Sequence, residues 1–173
     1  MSAAARSEDG RGPRTSLVRS VPGHFGLETP VALAEAIHRD EIPQRRVIEL
    51  ARLVLNEAGH DAVAAEIVGR LVEEVVALAR VALTRLGLQD EPVEVLLGGG
   101  LLQSADAELV AAIAAGLAEV GPSIAVRSNR SPAIVGAALL GLDDLGAVAE
   151  AQARLREELG AAVQRVEKEA ILG

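Results

Sequence analysis

Two short stretches interrupt a chain otherwise patterned for helices, and they constrain its fold more than anything else in it. Residues 93–97, VEVLL, form an apolar, β-branched run bounded by Pro92 and Gly98, which predicts a buried strand. Residues 123–128, SIAVRS, predict a second strand. No other confident strand is readable, so the chain is α/β and helix-rich, with an incomplete sheet of about two strands. A sheet that small is barely stable in water and leaves both edges open. Either something outside the chain completes it, or the helices carry almost the whole fold.

The helices are announced by their punctuation. Thr29 and Pro30 offer an N-cap and a first helical residue, predicting a helix over 30–39. Pro43 opens another, whose Val47, Leu50 and Val54 keep one apolar face until Gly59. Asp61 is placed to cap the longest early helix, 61–86, where Val63, Ile67, Leu71, Val75 and Leu78 recur at three- and four-residue steps before Gly87 closes it. Helix follows over 104–119, and again from Pro132 in the small-residue segment PAIVGAALLGL. Asp143 and Asp144 predict the start of a final helix running to about residue 170. Its Leu145, Val148, Gln152, Leu155, Leu159, Ala162 and Val166 approach heptad spacing. That stripe covers under four heptads and includes a Gln, so a terminal helix laid on the domain is favoured over a coiled coil. Residues 1–22 are polar and rich in Gly, Pro and Arg, and predict a flexible lead-in to a domain over 23–173.

Composition narrows the function. The net charge of −8 argues against nucleic acid and anionic membrane as partners, because both reward clustered basic residues. With no cysteine, disulfides, zinc fingers and thiol catalysis are excluded. The first twenty residues hold no apolar signal segment, and no apolar run reaches the ~18 residues of a membrane span. These features predict a cytoplasmic protein.

Three consecutive glycines, Gly98, Gly99 and Gly100, follow the first strand and ask what needs a bare backbone there. A Walker A loop requires a lysine that is absent from this region. A dinucleotide fold matches in order (strand, Gly-x-Gly, helix, strand), and Arg127 and Arg130 follow the second strand where the 2′-phosphate of NADP could be met. However, Gln103 occupies the third glycine position and no third strand follows. A tight strand-to-helix turn without ligand is the plainest alternative. The remaining possibility is a backbone cradle for a nucleoside, with the helix N-terminus at Gln103 and Ser104 adding unpaired N–H groups. His60-Asp61 has the look of a metal-binding dyad, but helix capping by Asp61 accounts for it and no further ligands have suitable spacing. No catalytic constellation is readable.

The stretch VEVLLGGGLLQSADAELVAAIAAGL followed by IAVRSNRSPAIVGAALLGLD resembles the C-terminal end of BadF/BadG/BcrA/BcrD-type ATPases and N-acetylglucosamine kinase-like proteins, of the actin, sugar kinase and Hsp70-like superfamily. EDGRGPRTSLVRSVPGHFGLETPVALAEAIHR is similar to the segment after that family's second phosphate loop, so the resemblance covers nearly all the chain. It implies a partial actin-like (ribonuclease H-like) ATPase domain. Gly98, Gly99 and Gly100 would abut adenine and ribose, Leu101, Leu102, Gln103 and Ser104 would begin the helix behind the nucleotide, and Gly136 and Ala137 would pack the closing helix near the interdomain hinge. Intact members bind ATP and Mg²⁺ and phosphorylate a sugar or drive a partner. Their Asp-Gly-Gly-Gly-Thr loop, catalytic aspartate and second phosphate loop have no counterpart here. The resemblance therefore implies an adenosine-binding part that lacks an N-terminal half and is inactive alone. Other expectations are a non-catalytic helical module that homodimerises, or an NADP-binding fragment.

Overall fold

The computed structural model describes residues 1–103, 107–128 and 132–172. The chain divides into two compact units, Met1–Ser128 and Asn129–Gly173. It is helix-rich with a small two-stranded sheet, and among the described residues no helix is long and apolar enough to cross a membrane.

The first unit is built on two hydrophobic clusters strung along one long helix. Three short helices, α1 (Ser2–Glu8), α2 (Leu17–Gly23) and α3 (Pro30–His38), precede a 3₁₀ turn over Gln44–Glu49 that runs into α4 (Leu50–Glu57). Helix α5 (Ala62–Leu86) follows, about 37 Å long at 1.5 Å per residue. The first cluster joins Ala4, Leu17, Val21, Leu33, Ala36, Ile42 and Leu50 to Val63 and Ala64 at the start of α5. The expected flexible lead-in over 1–22 is thus corrected: it folds into α1 and α2 and supplies three buried residues to the core. Helix α1 is only seven residues long and buries only an alanine, so it shows no apolar period. It is held by packing of Ala3 and Ala4 on the first cluster, and the Gly12 N–H donates to the Arg6 carbonyl at 2.7 Å just beyond its end.

The punctuation of α3 and α5 is as the sequence predicts. The Thr29 hydroxyl accepts from the Ala32 N–H at 3.1 Å. Asp61, in extended conformation, accepts from the Ala64 N–H at 2.9 Å. Gly87 takes the left-handed conformation at φ 67°, and the Leu88 N–H reaches back to the Leu83 carbonyl, a Schellman closure. Pro43 opens a 3₁₀ turn rather than an α-helix, and α-helical bonding sets in at Leu50.

The second cluster carries the sheet. Strands β1 (Glu94–Leu97) and β2 (Ala125–Ser128) pair in parallel, Glu94 opposite Ala125 through Leu97 opposite Ser128. Parallel pairing demands a crossover, which passes through the short turn α6 (Gly100–Gln103) and then α7 (Ala107–Ala118). Of the expected helix over 104–119, the described part is the single helix α7, with 104–106 outside the described residues. One face of the sheet, with Val95, Leu97 and Val126, packs on Val76 of α5 and on Leu109, Ile113 and Leu117 of α7. The other face presents Glu94, Leu96, Ala125 and Arg127 to solvent.

The approach of α7 to α5 is set by Gly116, where a Cβ would lie 2.7 Å from Val76 Cγ2. At Gly121, on the return to β2, a Cβ would run into the Gln89 carbonyl oxygen. These two positions are glycine for steric reasons within the chain.

In the second unit, α8 (Ala133–Asp144) packs against α9 (Ala149–Leu172). Asp143 and Asp144, the predicted start of the final helix, instead end α8. Gly146 adopts φ 65° there, and the Ala147 N–H closes back onto the Leu142 carbonyl. Paired acids signal a helix start only when no left-handed cap follows them.

Candidate functional site

The glycine run leaves the carboxyl end of β1 and enters α6. Gly98, Gly99 and Gly100 are all exposed, and among the described residues no atom lies within 4 Å of a Cβ built on any of them. Only Gly99, at φ 90°, is required by its own backbone. Neighbouring packing does not account for glycine at 98 or 100.

Gly100 and Leu101 form one wall of an open cleft of about 740 Å³. The opposite wall comes from the 3₁₀ turn and α4: Ile48, Glu49, Arg52, Leu53 and Asn56, with His24 at one end. The 3₁₀ turn flows directly into α4, so Glu49, Arg52 and Asn56 follow at three- and four-residue steps and share one helix face. The lining mixes apolar surface with a few polar groups, the ordinary make-up of a small-molecule site.

Those polar groups differ in how they are engaged. Glu49 accepts from Arg46 Nε at 2.7 Å and Nη2 at 3.0 Å, and its second oxygen meets His24 Nε2 at 2.9 Å. Arg46, and His24 after it, hold the Glu49 carboxyl down at about 2, and Glu49 in turn raises the Arg46 guanidinium. Phe25, the only aromatic residue of the chain, braces both partners. Its ring lies 5.2 Å beneath the Arg46 guanidinium and edge-on to His24 at 4.9 Å. Arg52 and Asn56 are exposed, and among the described residues Arg52 has no carboxylate within ion-pairing distance.

Of the residues singled out from the sequence, Gly100 and Leu101 thus reach the cleft, and Gly98 and Gly99 adjoin it in the chain. Leu102 packs toward the second hydrophobic cluster. Gln103 ends α6, while Ser104 lies outside the described residues. Gly136 and Ala137 fall in α8 of the second unit, both exposed, with open space at the Gly136 Cβ position. Arg127, the candidate for a 2′-phosphate, pairs with Glu94 at 2.7 Å on the exposed sheet face, and Arg130 lies outside the described residues. His24, Glu49, Arg52 and Asn56 were not legible as site residues. They sit 44 or more positions before Gly100, on what reads as a solvated helix face.

The one buried charged residue among those described, Asp61, belongs to a separate cluster. Besides capping α5, it accepts from the Ser16 N–H at 2.6 Å, the Thr15 hydroxyl at 2.9 Å and the Ser16 hydroxyl at 3.0 Å. Burial alone would raise this carboxyl. The N–H groups of Ala64 and Ser16, with the two hydroxyls, outweigh it and hold it at about 2. His60 turns outward to Glu57 at 3.1 Å, so His60 and Asp61 do not converge. Among the described residues no group of three or more His, Cys, Asp or Glu could hold a metal ion. No buried side-chain polar atom among the described residues lacks a partner, and these bonds make Asp61 an anchor for the start of α2 on α5. No known protein-family model matches the chain, and no curated protein and no solved structure matches it either.

Proposed function

We propose that the chain is the adenosine-binding C-terminal part of an actin-like ATPase of the BadF-type or N-acetylglucosamine kinase-like class. The observation that carries this reading is the cleft itself: Gly100 and Leu101, at the carboxyl end of a parallel strand, face the polar-apolar wall of α4. Ligands of α/β sheets characteristically bind beyond the carboxyl ends of the strands. The glycines leave room for a flat nucleoside to lie against main chain.

Phosphoryl transfer depends on loops that position the phosphates and Mg²⁺. No such loops are readable in these residues, so the chain binds nucleoside and does not phosphorylate a sugar alone. Mg²⁺ and the phosphate acceptor belong to an intact kinase of that class.

The test is calorimetry with adenosine, ATP and NADPH, paired with the substitution Gly100→Val. Because no described atom stands near the Gly100 Cβ position, the variant keeps the parent's melting temperature while losing adenosine. A ligand at about 100 times its Kd adds about 2.7 kcal/mol of apparent stability, enough to see by melting. A melting shift with NADPH but not with adenosine or ATP would replace this reading with the dinucleotide one.

A homodimerising helical module is favoured by a different observation. In the second unit Ile134, Leu140, Leu145, Val148 and Val166 are all exposed. Concentration-dependent association in light scattering, together with no nucleotide-induced melting shift, is the signature of that module.

A further inference from the structure

We infer that the cavity between α1, α2, α4 and α5 is a second binding site, shaped for a short aliphatic carboxylate. It shares no lining residue with the cleft beside Gly100, so the inference does not rest on the nucleoside reading.

The cavity has a volume of about 530 Å³, in the ordinary range of small-molecule sites. Leu50 and Val54 lie one turn apart on α4, Val63 and Ile67 one turn apart on α5, and Leu17 of α2 completes an apolar floor. Leu17, Leu50 and Val63 are buried, whereas Val54 and Ile67 stay half-buried although they pack on the same cluster. A chain of methylenes laid along Val54 and Ile67 takes that remaining apolar surface out of water.

The charges lie at the rim. Among the residues that line the cavity they are Arg6 of α1 and Glu66 and Arg70 of α5, two guanidinium groups against one carboxylate. Arg70 meets Glu66 at 3.8 Å, a loose contact between exposed groups. Arg6 donates through Nη2 to the Arg11 carbonyl at 3.1 Å, and among the described residues no carboxylate lies within ion-pairing distance of it. Asp9, one turn on from Arg6, is held by Arg11 instead, whose Nε donates to it at 2.8 Å. The single surplus charge at the rim matches a monoanion, and a guanidinium fork matches the two oxygens of a carboxylate. Apolar floor and basic rim together select a ligand with an aliphatic tail and a carboxylate head.

The test is titration of the full chain with hexanoate, octanoate and octanol, followed by backbone amide NMR shifts, on the parent, Arg6→Ala and Arg6→Lys. Each methylene that enters the cavity tightens binding about threefold to fourfold, so octanoate is expected to bind roughly tenfold more tightly than hexanoate. Octanoate is expected to exceed octanol by about threefold to fivefold at low salt, the worth of an exposed ion pair, with the gap shrinking as salt is added. The amides that move should lie in α1, α4 and the first turns of α5. Arg6→Ala should close the gap between octanoate and octanol, and Arg6→Lys should keep part of it. Unchanged octanol affinity in both variants shows that the cavity itself is intact. No binding of octanoate, equal affinities for hexanoate and octanoate, or shifts confined to the cleft beside Gly100 would overturn the site. Octanol bound as tightly as octanoate, or a preference for octanoate that survives Arg6→Ala, would overturn the carboxylate assignment.

Discussion

Replacing Asp61 by alanine should unlock two helices at once, and its magnitude follows from the donors it would strand. The Ala64 N–H loses its cap, which costs about 1 kcal/mol. The Ser16 N–H, now 2.6 Å from the carboxylate, is left without its acceptor at the start of α2, for about another 1–2 kcal/mol. Thr15 loses both oxygens it donates to, whereas the Ser16 hydroxyl keeps Glu57. The sum is about 3 kcal/mol, or a fall in melting temperature of roughly 6–12 °C for a chain of this size. Asp61→Asn keeps one acceptor for Ala64 and should lose about 2 kcal/mol. The charge adds a pH signature. The folded carboxyl lies at about 2 against 3.8 when free, so its contribution is complete above about pH 5 and disappears as pH falls through 2. After discounting for solvent at the rim of the cluster, that contribution is about 1–2 kcal/mol. Urea unfolding of parent and Asp61→Ala at pH 7 and pH 2.5 measures both quantities. A loss below 1 kcal/mol at pH 7, or a gap that does not narrow at pH 2.5, would refute the anchoring role.

Leu17→Ala should cost about 2–4 kcal/mol in urea unfolding, because Leu17 is 2% exposed in the first cluster; a flexible lead-in would give no change. Gly121→Ala forces a methyl onto the Gln89 carbonyl and should cost about 2–3 kcal/mol by the same measurement. Gly116→Ala meets only Val76 Cγ2, and the helix propensity it gains offsets part of the crowding, so a loss of about 1 kcal/mol is expected in thermal melts. Gly87→Ala places a Cβ in the left-handed cap of α5 and should lower stability by about 1 kcal/mol, read from the shift in urea midpoint.

What could be read from the sequence is what local chemistry decides. Thr29 and Pro30, Asp61, and Gly87 each act on backbone groups within four residues, so their roles survive without tertiary information. VEVLL and SIAVRS betray the strands by composition, although which neighbour lies beside which, and in what direction, is fixed only by the crossover through α7. The features that stayed illegible share one physical cause, which is distance along the chain. Helices α1 and α2 are too short for an apolar period to appear. Tertiary packing supplies what the period does not: Leu17 and Val21 of α2 and Ala4 of α1 join one cluster with Leu33, Leu50 and Val63. Asp61 reads as a cap, but its anchoring of Ser16, 45 residues earlier, does not. The α4 wall of the cleft looks solvated because its partner wall begins more than forty residues later.

The glycines divide along the same line. Three in a row draw the eye, yet the glycines whose Cβ positions are taken by atoms of a distant segment are the isolated Gly116 and Gly121. Within the run, only Gly99 is explained by its backbone, through φ 90°. Among the described residues nothing occupies the Cβ position of Gly98 or Gly100, so glycine there gives up roughly 0.5–1 kcal/mol of chain entropy relative to alanine where the backbone allows either. Substituting Gly98 or Gly100 is therefore the perturbation that best separates folding from recognition: stability is held or slightly raised, and any loss of binding is assigned to the cleft. Substituting Gly116 or Gly121 confounds the two, because the sheet that places Gly100 rests on the contact they permit.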